Sequence, residues 1–231
     1  MTHRHPICCF ASRLAVSLVM LLLLIPTTAC GQKIFRLEKD SIPLFRGFQV
    51  SFDLAGAVQL MLSDHGEYQG ALRLNLHDQW FPTFEMGIGR ANRKPDELTG
   101  LAYKTTAPFF RLGMDWNVMK NKHLPNRLYA GFRYAFTAFK ADIVNEQLED
   151  RIYRTQSRFG VEGMSCSQHW LELLFGIDAK IYGPVHLGWT IRYLRRLAHK
   201  EGDIGAAWYV PGFGLNDGDN FNGNFSIIID I

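Results

Sequence analysis

A chain of 231 residues with 47% hydrophobic and 13% aromatic residues suits one domain built on one sizeable core or one barrel. Its formal charge is +3, and the +1 left once residues 1–31 are removed implies no long-range pull on nucleic acid. No Gly-x-Ser-x-Gly, His-Glu-x-x-His, P-loop or dinucleotide fingerprint occurs in it.

Arg4 and Arg13 precede the uncharged run Leu14 to Ile25, which ends in Pro26 and small residues. That run is too short to span a bilayer as a helix and reads as a secretory signal peptide over residues 1–31. Ala29 and Gly31 fit cleavage before Gln32. The alternative is a lipoprotein cut that would lipidate Cys30, although Thr27 stands where a large aliphatic residue is usual. Removing residues 1–31 takes away Arg4 and Arg13 and no acids, lowering the formal charge from +3 to +1. Cys166 then remains alone, so neither an internal disulfide nor a paired-cysteine metal framework is expected.

Residues 32–45 are charged and read as a periplasmic leader, with a barrel expected over 46–231. Phe48, Val50, Phe52 and Leu54 mark a first strand by their two-residue period. Ala57 to Leu62 has no clear pattern, and Ser63-Asp64-His65-Gly66 reads as a turn. A second strand carries Tyr68, Gly70, Leu72, Leu74 and Leu76, and His77-Asp78-Gln79 links it to a third with Phe84, Met86 and Ile88. Arg90 to Pro108 is expected to be a long loop. Phe110, Leu112, Met114 and Trp116 form a fourth strand, and Leu128, Ala130, Phe132, Tyr134 and Phe136 a fifth, with Met119 to Asn126 between them. A second long loop is expected from Ala141 to Ser167.

The clearest alternation lies in a hairpin from Leu171 to Tyr193. Leu171, Leu173, Phe175, Ile177, Ala179 and Ile181 share one face. After Tyr182-Gly183-Pro184, the residues Val185, Leu187, Trp189, Ile191 and Tyr193 continue it. Each strand approaches the roughly 9 to 11 residues of a tilted membrane-spanning strand. A helical stripe through Leu171, Leu174 and Phe175 is the competing pattern, but Leu173 and Ile177 leave it. A third long loop from Leu197 to Asn220 precedes a last strand carrying Phe225, Ile227, Ile229 and Ile231. The pattern is about eight strands joined alternately by short turns and longer loops, as in outer-membrane barrels.

Two features point the apolar face outward, to lipid. The polar face carries Gly47, Gly87, Gly89, Gly113, Gly131, Gly176 and Gly188, and a narrow barrel needs small residues inside to make room for large ones. The same face holds Asp53, Glu85, Asp115, Glu172, Asp178 and Asp230 against Arg73, Arg111, Arg133, Lys180 and Arg192. These near-balanced charges can pair across a narrow lumen. The apolar face has too many Phe, Trp and Tyr side chains for a small interior, but they suit the aromatic girdles of a lipid surface. The fold class read from the pattern is an all-β, antiparallel up-and-down transmembrane β-barrel.

The run Trp170-Leu171-Glu172 to Gly188-Trp189-Thr190-Ile191-Arg192-Tyr193, with Gly131-Phe132-Arg133-Tyr134 and Trp208-Tyr209-Val210-Pro211-Gly212, resembles a family of small Bacteroidetes outer-membrane β-barrel proteins. More loosely it is similar to OmpA-like and OmpX-like barrels. The closer resemblance covers roughly Phe45 to Ile231. It implies location and fold and carries over no catalytic residue. The C-terminal Ile231 departs from the aromatic end usual in such barrels, the signal read by the insertion machinery.

The function expected is that of a non-enzymatic outer-membrane barrel of a Gram-negative bacterium, structural, adhesive or assembly-related, with a plugged lumen and no cofactor or metal. An outer-membrane lipid-modifying enzyme and a periplasmic lipocalin-like binder are the alternatives. Ser63, Asp64 and His65 do not form a relay, because sequence neighbours on a turn point apart. His186 could meet Glu172 inside the barrel, where it would join the charge network. Expected partners are outer-membrane lipids, the insertion machinery and an unidentified protein, but not nucleic acid. With periplasmic termini, a basic rim of Arg90, Arg93, Lys94, Lys140, Arg195, Arg196 and Lys200 meets the outer boundary, where lipopolysaccharide phosphates would suit Arg and Lys.

Overall fold

The computed structural model describes residues 43–96, 99–149, 156–202 and 205–231. The expected signal peptide, Cys30 and most of the expected leader lie outside the described residues, as do Arg151 and Arg154 of the second expected loop. The elements are β1 (Phe45–Asp53), α1 (Leu54–Leu62), β2 (His65–Leu76), β3 (Trp80–Arg93), β4 (Ala102–Asn117) and β5 (Arg127–Glu149). They continue with β6 (Gln156–Tyr182), β7 (Val185–Lys200), the two-residue strands β8 (Tyr209–Val210) and β9 (Gly214–Leu215), and β10 (Asp219–Asp230). Eight antiparallel strands close into a barrel in the order β1-β10-β7-β6-β5-β4-β3-β2. Each strand pairs with its chain neighbour except at the seam. There the Phe48 and Ile231 backbones exchange hydrogen bonds of 2.9 and 2.8 Å.

The strands outrun the expected boundaries. The presumed loop Arg90 to Pro108 contains the end of β3 and the start of β4, and Ala141 to Ser167 contains the ends of β5 and β6. β7 likewise continues to Lys200 and β10 begins at Asp219, shortening the third loop at both ends. These segments look unpatterned because the faces exchange polarity there. In the lower part Phe84, Leu112, Phe132 and Leu173 are exposed while Glu85, Arg111, Arg133 and Glu172 are buried. In the upper part Ala91, Tyr103, Phe139 and Met164 turn inward, while Lys104, Lys140 and Ser165 face out. A period-2 signal judged only by an outward apolar face ends where the faces invert.

Residues 205–218 fold into the upper lumen. Tyr209, Val210 and Phe213 pack there against Phe109, Trp170, Leu194 and Met164. Fully burying one such side chain contributes about 1.5–3 kcal/mol. The Tyr103 hydroxyl donates to the Tyr209 carbonyl at 2.7 Å. Gly212 has a φ of +83°, and a side chain there would also strike the Phe109 ring. The motif Trp208 to Gly212 is therefore a plug and not an extended outer loop.

Two short segments depart from expectation locally. The unpatterned Ala57 to Leu62 belongs to α1, capped by Asp53, whose carboxylate accepts from the Ala55 and Gly56 amides at 3.2 and 3.0 Å. Such a cap contributes about 1 kcal/mol. The turn expected over Ser63 to Gly66 is shorter, since His65 already begins β2. Among the described residues no helix is long and apolar enough to cross a membrane.

Candidate functional site

The lumen is where the sequence concentrates its charge. The period of two turns one face of every strand inward, so Arg73, Glu85, Arg111, Asp115, Arg133, Glu172 and Arg192, from six strands, converge as buried groups. Arg133 grips both oxygens of Asp115 at 2.7 and 2.8 Å and reaches Glu85 at 3.1 Å. Arg192 bridges Glu85 at 2.7 Å and Glu172 at 3.0 Å. Arg111 binds Glu172 at 2.7 Å, Gln69, and the plug carbonyl of Gly212 at 2.6 Å. Arg73 stands 3.4 Å from Asp115 and donates to the Tyr129 hydroxyl at 3.2 Å. Charged pairs stripped of water need this density of hydrogen bonds to offset desolvation.

The inward glycines make that density possible. A Cβ at Gly131 would meet the Asp115 carboxylate, and one at Gly113 the Phe132 carbonyl beside Arg133. One at Gly176 would lie 2.5 Å from the Tyr129 ring. Gly89 admits Pro211 of the plug, whose Cα would lie 2.7 Å from a Cβ there.

A second cluster seals the lower end. Asp178 meets Arg127 at 3.2 Å and His186 at 2.7 Å, and Asp230 meets Arg127 at 3.4 Å and His186 at 3.2 Å. His186 thus joins the network through these aspartates and not through Glu172. Below it, His77 and Asp78 both adopt left-handed φ angles, 59° and 55°, at a cost of roughly 1–2 kcal/mol each. The Asn75 side chain donates to the Asp78 carboxylate at 2.8 Å and accepts from the Asp78 backbone amide at 2.9 Å, and Arg46 and His123 approach that carboxylate at 3.3 and 2.9 Å. Burial would raise the Asp78 carboxyl pKa. The hydrogen bonds from His123 and Asn75 and the charge of Arg46 outweigh that and hold it below the usual range.

Three expected members of the network sit differently. Lys180 is exposed, and its backbone amide donates to Asn126, because a bulge between Lys180 and Tyr182 ends the regular alternation there. Asp53 caps α1 and binds the Asn224 amide at 2.9 Å. Asp230 is partly exposed, at the lower mouth. Glu67, 3.5 Å from Arg111, and Arg127 belong to the lumen network beyond the residues expected from the alternation. Their inward parity was the available signal, since Glu67 is two residues from Gln69 and Arg127 two from Tyr129.

On the upper rim, Arg90, Lys94, Lys140 and Lys200 are exposed. The other three expected rim residues have partners within the chain, and of these Arg195 is exposed as well. Arg93 pairs with Asp96 at 2.7 Å and lies over the Trp208 ring, 4.8 Å from its centroid. Arg195 pairs with Asp219 at 2.9 Å and Arg196 with Asn216 at 2.8 Å. Among the described residues no group of three or more His, Cys, Asp or Glu could hold a metal ion.

The arrangement defines a class: an all-β protein whose eight-stranded antiparallel sheet closes on a charged interior and presents aromatic and aliphatic side chains outward. The sequence matches the domain of unknown function DUF6048 over residues 11–230, and the chain belongs to that family. No curated protein and no solved structure matches it.

Proposed function

We propose that this chain is a non-enzymatic outer-membrane β-barrel of a Gram-negative bacterium, exported by its signal peptide, with a plugged lumen and a structural, adhesive or assembly role. The observation that carries the reading is the inversion of polarity across the wall. Phe132 and Leu173 face each other on the β5–β6 ladder and are 56% and 62% exposed, whereas the adjacent Arg133 and Glu172 are both 0% exposed. In water such an arrangement would expose the apolar groups and bury the charged ones. In a bilayer both faces meet suitable surroundings.

The belt has membrane dimensions. From Trp80 to Ile88 the chain rises about 26 Å at ~3.3 Å per residue, or about 20 Å along an axis tilted by ~40°, near the ~25 Å of outer-membrane barrels. Trp80 and Trp116 stack at 5.8 Å at its lower edge, where a girdle is expected. The resemblance to small Bacteroidetes barrels and, more loosely, to OmpA-like and OmpX-like barrels supports the same reading. Lipopolysaccharide at the basic rim and the insertion machinery are its implied partners.

The lipid-enzyme alternative needs a nucleophile or base that reaches lipid, and His186 and Glu172 are sealed among ion pairs. The lipocalin-like alternative needs an apolar cavity, and the interior carries charge below and a packed plug above. The reading is tested by cell fractionation and by gel migration of heated and unheated samples. Recovery in the outer-membrane fraction with a heat-dependent shift is expected, and recovery in the soluble periplasm would overturn it.

A further inference from the structure

β1 stops at Asp53, whereas its neighbours continue upward, β2 to His65 and β10 to Asp219. Above Asp53 the wall lacks a strand. α1 fills part of the gap by leaning on the edge of β2, where a Cβ at Gly66 would lie 2.7 Å from the Leu60 amide. Between α1 and β10 a cavity of about 320 Å³ remains, bordered by the exposed residues Phe221 and Gly223.

The edge of β10 faces this cavity without a partner strand. The Phe225 amide donates to Asp53 at 3.2 Å, so every second peptide of β10 points toward the missing strand. The Phe221 amide is taken by Asn220 at 2.9 Å, which leaves Gly223 presenting its N–H and C=O to the opening. Gln59, Glu67, Asn222 and Asn224 add side-chain donors and acceptors, and no Lys or Arg lines the cavity. Paired amide and carboxylate groups suit vicinal hydroxyls, and the lining offers a phosphate no Lys or Arg, since Asp53 caps α1 and Glu67 already faces Arg111 behind it. Outside, Phe221 and the α1 residues Val58, Met61 and Leu62 are exposed apolar surface. Phe221 is opposite Tyr193 on β7, at the upper edge of the belt.

We propose that this lateral gap binds the uncharged sugar head of a glycolipid in the outer leaflet, its acyl chains lying against α1 and Phe221. The inference rests on the membrane reading above and adds a ligand class to it. The test uses the full chain refolded into phosphatidylcholine vesicles doped equally with monoglucosyl diacylglycerol and phosphatidylglycerol, extracted in an amine-oxide detergent, with retained lipid counted by native mass spectrometry. The glucosyl lipid should be retained about tenfold over phosphatidylglycerol. Gln59→Leu, on the helix surface, and Asn222→Leu should each reduce that preference severalfold while leaving the heat-dependent gel shift intact. Equal retention of both lipids, or an unchanged preference in both variants, overturns the proposal alone. Failure of the chain to insert into vesicles overturns the membrane reading, and this inference with it.

Discussion

Arg133 and Glu172 stand directly opposite one another on the β5–β6 ladder, yet Arg133 directs its guanidinium to Asp115 and Glu85 while Glu172 receives Arg111 and Arg192. The ion pairs therefore tie β5 to β4 and β3, and β6 to β4 and β7, so the lattice braces the ring across its lumen. Its strength should depend on every member being present.

Replacing Arg133 with Met keeps volume near the original and removes the bidentate partner of Asp115. Breaking a buried pair leaves an uncompensated charge, a cost of about 3–5 kcal/mol. The urea unfolding midpoint of the vesicle-inserted protein, read by tryptophan fluorescence, should fall accordingly. An unchanged midpoint would count against the buried lattice.

The barrel should conduct no ions. The lumen cavity between Arg73, Glu85 and Arg192 measures about 20 Å³, room for about one water, and the plug closes the lumen above it. Planar-bilayer recordings should show no steady open level.

Gly131 and Gly223 make a controlled pair. Gly131→Val drives a side chain into the Asp115 carboxylate, while a Cβ at Gly223 meets nothing within 4 Å. Overpacking of this kind costs about 1–3 kcal/mol. Gly131→Val should lower the folded fraction in refolding gels, and Gly223→Ala should refold like the parent.

Asp78 should make the lower end acid-sensitive. Its carboxyl is held below the usual range in the folded state, so its contribution is fully present above the unfolded carboxylate pKa of about 3.9. That contribution is lost as pH falls through the lower, folded value. Asp78→Asn should be less stable than the parent at neutral pH and should flatten the acid limb of the stability curve. Parallel curves for the two proteins would remove Asp78 from this role.

On the rim, partners within the chain at Arg93, Arg195 and Arg196 shift the lipopolysaccharide prediction to Arg90 and Lys140, which share an exposed upper row with Thr106 and Ser165. Changing both to Ser should reduce copurifying lipopolysaccharide without altering the heat-dependent shift. Equal amounts in both proteins would make them ordinary surface charges.

The central runs of the eight wall strands and the inward direction of most of their charges, Lys180 apart, were legible in the amino-acid sequence. Strict alternation from Leu171 to Tyr193 admits one regular backbone, and parity then assigns Arg133 and Glu172 to one side of the wall. The glycines at 113, 131 and 176 were legible too, as space left for large neighbours. Which carboxylate each guanidinium takes was decided only by ring closure, because partners such as Arg192 and Glu85 come from strands far apart in the chain. The same holds for the upper half. Parity already puts Tyr103, Phe139 and Met164 on the inner side, but only the returning Trp208 to Phe213 segment gives them an apolar interior to pack in, and a local pattern carries no record of a contact that distant.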